Sequence, residues 1–217
     1  MQVLVDLAVA NGYDAVIRFD LVDGNGVEYE KDGAGTRLLA QVREEGKTDL
    51  DTLRSLLGAI TPTLATKANA AFGAIPSVMV VIDYASRLRV GSESSNEIHT
   101  LLTLNEKLAN SAIPLLRNHE STLRLYNPVV WVADRPSDLP SWLTASSKTR
   151  TVVIPRPPLA LRKRLARQII REVPGYSELT EEARLALDKQ FAELTDGMPL
   201  QGMIDVRILA VDRDIPA

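Results

Sequence analysis

The chain contains no cysteine. Disulfides, zinc–thiolate sites and thiol nucleophiles are therefore excluded, and the composition suits a reducing cytoplasm. Histidine is almost as scarce, with only His99 and His119. Those two cannot supply a metal site alone, and solvated helix or loop positions account for them. No apolar run approaches the length of a transmembrane helix, so no membrane partner is expected. The opening residues Met1-Gln2-Val3-Leu4-Val5-Asp6 lack the basic stretch and cleavage site of a signal peptide. An excess of positive charge is also missing, since the formal net charge is −3. A dedicated nucleic-acid binder carries a basic domain or stripe, so that class is disfavoured. What remains is a soluble chain of 217 residues, long enough to bury a core without disulfides or metal.

Read along its length, the chain divides in two. Residues 2–10 form a short apolar helix, stopped by Asn11-Gly12 as a left-handed C-cap would stop it. Residues 14–19 read as a strand, and the Gly- and Asp-rich residues 20–36 as a long loop with room for a hairpin. Helical patterns cover residues 37–45 and 49–73, interrupted near Thr61-Pro62. The run Val78-Met79-Val80-Val81-Ile82 is apolar at every position, which suits a strand buried on both faces of a parallel sheet. A helix follows at residues 96–112, and then two further apolar strands at 129–133 and 151–154. Strands alternating with helices imply βαβ crossovers and a parallel sheet. After Pro158 only helical spacing remains. Leu161, Leu165 and Ile169 share one face, and Thr180 caps a helix whose stripe is Ala183, Leu187, Phe191 and Leu194. The expected organisation is an α/β core over residues 1–156 and a helical lid over residues 157–217.

Four stretches carry chemistry. The strand at 78–82 ends in Asp83, which places a carboxylate at the carboxyl edge of the sheet, where open α/β sheets bind ligands. A strand-end Asp also caps turns, so this pattern alone decides nothing. The strand at 129–133 ends in Asp134-Arg135-Pro136-Ser137-Asp138-Leu139. Basic residues Lys148 and Arg150 precede the run 151–154, which Pro155 closes. Finally, Leu194-Thr195-Asp196-Gly197-Met198-Pro199 separates the last two helices.

In this order and spacing the four resemble the AAA+ branch of the P-loop NTPases, which implies an ATPase-type core with a small helical lid. The resemblance puts Asp83 at the Walker B position, where it would hold Mg²⁺ on bound ATP. It puts Asp134 at the sensor-1 position, usually Asn, and makes Arg150 the candidate arginine finger reaching a neighbouring subunit. The Thr-x-Gly stretch at 195–197 matches the lid signature.

Two departures accompany the resemblance. There is no Walker A sequence with its Lys-Ser/Thr pair. The nearest stretch holds Gly33, Gly35 and Thr36 before a helix, and a flexible glycine loop is the favoured reading of it. In a second register, helix 2–10 and strand 14–19 match the helix after a phosphate loop and its next strand, which places the Walker A ahead of Met1. Both registers stay open. In addition, Tyr84 stands where a catalytic Glu should follow Asp83, and a phenol with pKa near 10 is a poor base at neutral pH. The departures favour a degenerate module, similar to the N-terminal half of a bacterial two-module ATPase. Such a module works in assembly or regulation, as a homo-oligomer beside a second ATPase module or a protein client. The alternatives are an active ATPase whose Walker A lies outside the chain, and a non-ATPase adaptor using the basic residues Arg162, Lys163, Arg164, Arg167 and Arg171 on nucleic acid. No aromatic residues are interleaved there for base stacking.

Overall fold

The run with the strongest strand signal becomes an interior strand of the sheet. The computed structural model describes residues 1–63, 75–88, 96–115 and 125–216. Strands β1 (Ala15–Asp20), β2 (Gly24–Glu30), β3 (Val78–Ile82) and β4 (Val129–Trp131) form one sheet in the order β2-β1-β3-β4. β1, β3 and β4 run parallel, and β2 is antiparallel to β1. The loop read at 20–36 thus contains a strand. Asp20 turns the chain from β1 into β2 by accepting the backbone N–H groups of Val22 and Asp23, each at 2.8 Å.

Period-two alternation decides which side chains meet which layer. Ala15, Ile17, Phe19, Val78, Val80 and Ile82 face helices α2 (Ala34–Val42), α3 (Asp49–Ile60) and α4 (Asn96–Ser111). Val16, Met79 and Val81 face the opposite side, under α1 (Gln2–Ala10) through Ala8, Leu4 and Val5. Thr48 and Asp51 start α3 with a reciprocal capping box. Asn127 fixes the entry to β3, donating to the carbonyls of Ile60 and Pro76 and accepting from the Val78 N–H. These layers make the α/β architecture with a mostly parallel sheet that the buried-strand runs predicted.

The chain separates into two units, Met1–Thr151 and Val152–Ala217. The second contains α6 (Leu159–Ile169), α7 (Glu181–Leu194) and α8 (Leu200–Asp212), following the single-turn α5 (Ser141–Thr144) of the first. Its core joins Ile169, Ile170, Tyr176 and Met203, and no strand occurs among its described residues. The Thr180 hydroxyl caps α7 by accepting the Ala183 N–H.

Three expectations are corrected. Residues 151–154 are not a strand: Val152, Val153 and Ile154 are 75%, 69% and 90% exposed. A β-branched run has strand propensity, but a strand exists only where another supplies backbone partners. Leu194 lies off the buried stripe of α7 at 74% exposure, and Asp188 and Ala192 are buried instead. Arg162 is buried rather than part of a basic surface, as described below. Residues 64–73 of the helix read at 49–73, and His119, lie outside the described residues.

Candidate functional site at the carboxyl edge of the sheet

Because β1, β3 and β4 are parallel, their carboxyl ends share an edge. Asp83 follows β3 and Asp134 follows β4, so adjacent strands deliver both acids there. Asp83 is half-buried. Its N–H bonds the Phe19 carbonyl at 2.9 Å, and its Oδ1 accepts the Tyr84 N–H at 2.9 Å. Tyr84 itself takes a left-handed backbone, φ 49°, and points outward at 64% exposure. A bulky residue in that region stores strain on the order of 1 kcal/mol.

A polar network then ties the two strand ends together. The Asp134 N–H donates to Ser86 Oγ at 2.6 Å, and the Ser86 hydroxyl donates to Asp138 Oδ2 at 2.7 Å. The same carboxylate oxygen accepts the Arg135 N–H at 3.0 Å. Asp134 pairs with Arg87 at 3.2 Å, both side chains mostly exposed. Ser86 escaped the sequence analysis. The spacing Arg-Pro-x-Asp signalled Asp138, but nothing local marks Ser86 as its partner.

Arg150 lies in irregular chain after α5 and is exposed. The structure does not bring Gly33, Gly35 and Thr36 to Asp83. They open α2, which follows the antiparallel β2 and therefore starts at the opposite, amino edge. The length of β3 separates the two edges by about 16 Å. A phosphate loop follows the carboxyl end of a parallel strand, so this geometry removes the first register.

The donors at the start of α2 are also occupied. Thr36 gives its N–H and its hydroxyl to the two Glu30 carboxylate oxygens, each at 2.8 Å. Those bonds, the amide first, hold the Glu30 carboxyl below the ordinary carboxylate range. Gly35 is small for packing: a Cβ there would stand 3.1 Å from Val27 and 3.2 Å from Ala15. The second register keeps its geometry. α1 turns into β1 through residues 11–14, with Gly12 at φ 70°, so it runs antiparallel to β1 and starts over the carboxyl edge.

Among the described residues there is no group of three His, Cys, Asp or Glu placed to hold a metal ion. No helix among them is long and apolar enough to cross a membrane.

In the helical unit the Thr195–Gly197 stretch is a structural joint. Arg162 donates to the Ala192 and Pro157 carbonyls at 2.9 Å each and pairs with Asp196 at 2.7 Å. The Thr195 hydroxyl donates to the Phe191 carbonyl, and Arg156 donates to the carbonyl of Gly197, itself at φ 71°. Asp188 is buried, accepts the Tyr176 hydroxyl at 3.0 Å and pairs with Arg167 at 3.3 Å. Two arginines of the basic cluster are thus engaged within the fold.

A mostly parallel sheet covered on both faces by helices defines a Rossmann-like α/β domain. The chain belongs to the family of AAA+ chaperone N-terminal Rossmann-like domains, whose model matches residues 1–155. No curated protein and no solved structure matches it.

Proposed function

We propose that this chain is an AAA+ module whose nucleotide site is degenerate, and that it acts in the assembly or regulation of a larger remodelling ATPase. One observation carries the reading: the glycine-rich helix start is closed by Glu30 and lies at the wrong edge for Asp83. Tyr84 adds to it by replacing the water-polarising Glu with a strained, outward phenol. Asp83 then serves as a turn cap and Asp134 as a surface ion-pair partner. Neither ATP nor Mg²⁺ is required by the module on this reading. Its partners are further copies of itself, a second ATPase module or a protein client.

Steady-state phosphate release from the purified chain tests this. The expected result is no release above background with Mg²⁺ and ATP. Release that Asp83→Asn abolishes overturns the reading.

A second reading has its own support in α1. That helix starts over the edge holding Asp83 and Asp134, and no side chain caps its first turn. A phosphate loop supplied from outside residues 1–217 and entering α1 would place its donors beside Asp83, and the module would then bind ATP and hydrolyse it. The release assay on the full-length native protein, with and without Asp83→Asn, separates the two readings.

A further inference from the structure

From Leu159 to Arg171 the chain carries five basic residues and no acidic one. The fold sorts them. Arg162 turns inward, to the Ala192 and Pro157 carbonyls and to Asp196. Lys163, Arg164, Arg167 and Arg171 are exposed. Arg164, Arg167 and Arg171 follow one another at spacings of three and four residues. They therefore line one side of α6 and of the 3-10 turn Ile170–Glu172 that continues it. Lys163 stands four residues before Arg167 and widens the stripe. At about 1.5 Å per residue, the four charges extend over about 12 Å. Three acids of the helical unit each answer a single arginine: Asp196 pairs with Arg162, Glu172 with Arg207 and Asp188 with Arg167. The last pair positions its arginine. Asp188 is buried, accepts the Tyr176 hydroxyl at 3.0 Å and takes the Nε–H of Arg167 at 3.3 Å. That pair uses one of the five guanidinium donors, and the Arg167 side chain stays 56% exposed. A guanidinium held from below by a buried acid presents its terminal N–H groups in a fixed direction, which suits phosphate oxygens.

We propose that this stripe binds the sugar–phosphate backbone of duplex nucleic acid without reading its sequence. Arginine rather than lysine fills three of the four positions, the choice for bidentate phosphate contact. A duplex carries one charge per about 1.7 Å of axis, so a straight stripe of about 12 Å meets several phosphates in any register. An acidic peptide would have to match the arginines residue by residue. Base stacking is no part of the contact, because residues 159–171 contain no aromatic side chain. The net charge of −3 keeps the interaction weak and salt-sensitive. This surface goes beyond the proposed function, and it serves whether or not the module binds ATP.

Fluorescence anisotropy of the chain with a labelled random-sequence duplex, across about 50 to 200 mM salt, tests this. With four phosphate contacts, log K should fall against log salt with a slope of about −3.6. The triple variant Lys163→Ala/Arg164→Ala/Arg171→Ala should bring the slope to about −0.9. Its circular dichroism should match the parent, because all three side chains are exposed. Arg167→Lys should keep the slope and weaken binding at fixed salt by about threefold or more, since lysine offers no fixed fork over Asp188. An absence of binding at the lowest salt overturns the proposal, as does a slope that the triple variant leaves unchanged. Polyglutamate of matched charge binding as tightly as the duplex overturns it too, and makes the face one for acidic protein. An Arg167→Lys chain that binds as the parent does overturns the part assigned to Asp188. None of these outcomes depends on phosphate release, so failure here is distinct from failure of the proposed function.

Discussion

The two ends of one sheet treat their polar groups in opposite ways. At the amino edge, Asp14 bonds the N–H and hydroxyl of Ser77, and Glu30 bonds the N–H and hydroxyl of Thr36. Acid and donor meet within the chain there, and the edge is closed. At the carboxyl edge, Asp20 is closed in the same manner by Arg18 at 2.9 Å and by its turn. Asp83 and Asp134, by contrast, each show one partner for their carboxylates among the described residues, Tyr84 N–H and Arg87. An anion site needs open N–H donors, and a cation site needs open acids. Among the described residues, acids stand at one edge and satisfied donors at the other.

Substitutions can break this contrast, and the largest effect belongs to the closed edge. Gly35→Leu should cost about 2 kcal/mol, because its side chain must enter the contact between α2, Val27 and Ala15. Urea denaturation with an unchanged slope checks it; an unaffected midpoint would restore a loop role for the glycine. Glu30→Gln should lower stability less, and in a pH-dependent way. The Glu30 carboxyl is held low in the fold by the Thr36 N–H and then its hydroxyl. Its contribution is therefore complete above the unfolded value, about 4.3, and is lost as pH falls through the folded one. The gap in Tm between the chain and Glu30→Gln should be widest near neutral pH and close on acidification. A gap constant down to pH 3, on the order of one unit below that reference value, would contradict the assigned bonds.

Smaller effects are expected at the open edge. Tyr84→Gly should raise stability by up to about 1 kcal/mol, since glycine accepts φ 49° without strain. Asp134→Asn should change it by less than about 0.5 kcal/mol, because its ion pair with Arg87 is exposed on both sides. A larger loss from Asp134→Asn would show that this edge is structural after all.

How much of this was legible depends on whether a signal is local. β3 was, because five consecutive apolar residues require burial on both faces, and all five are buried. The cap at Thr180 was, because its partner lies three residues away. β2 was only glimpsed, since Gly24, Asn25 and Gly26 read as loop while β1 supplies the ladder that makes them a strand. Residues 151–154 failed in the reverse direction, having the composition of a strand and no neighbour. Arg162 looked like surface charge because nothing in sequence reveals the Ala192 and Pro157 carbonyls around it. At the candidate site, Asp83 and Asp134 were found from the strand ends. The Ser86–Asp138 bridge, 52 residues apart, was not.

Isothermal calorimetry of the chain with ATP and Mg²⁺ tests the central claim most directly. Backbone donors wrapped around phosphate supply most of the affinity in such folds, and the glycine-rich start of α2, whose Thr36 N–H is taken by Glu30, lies at the other edge from Asp83. No saturable heat is expected for the chain, and the same trace is expected for Asp83→Asn. A saturable isotherm that Asp83→Asn removes would contradict it, and would make the carboxyl edge a working nucleotide site.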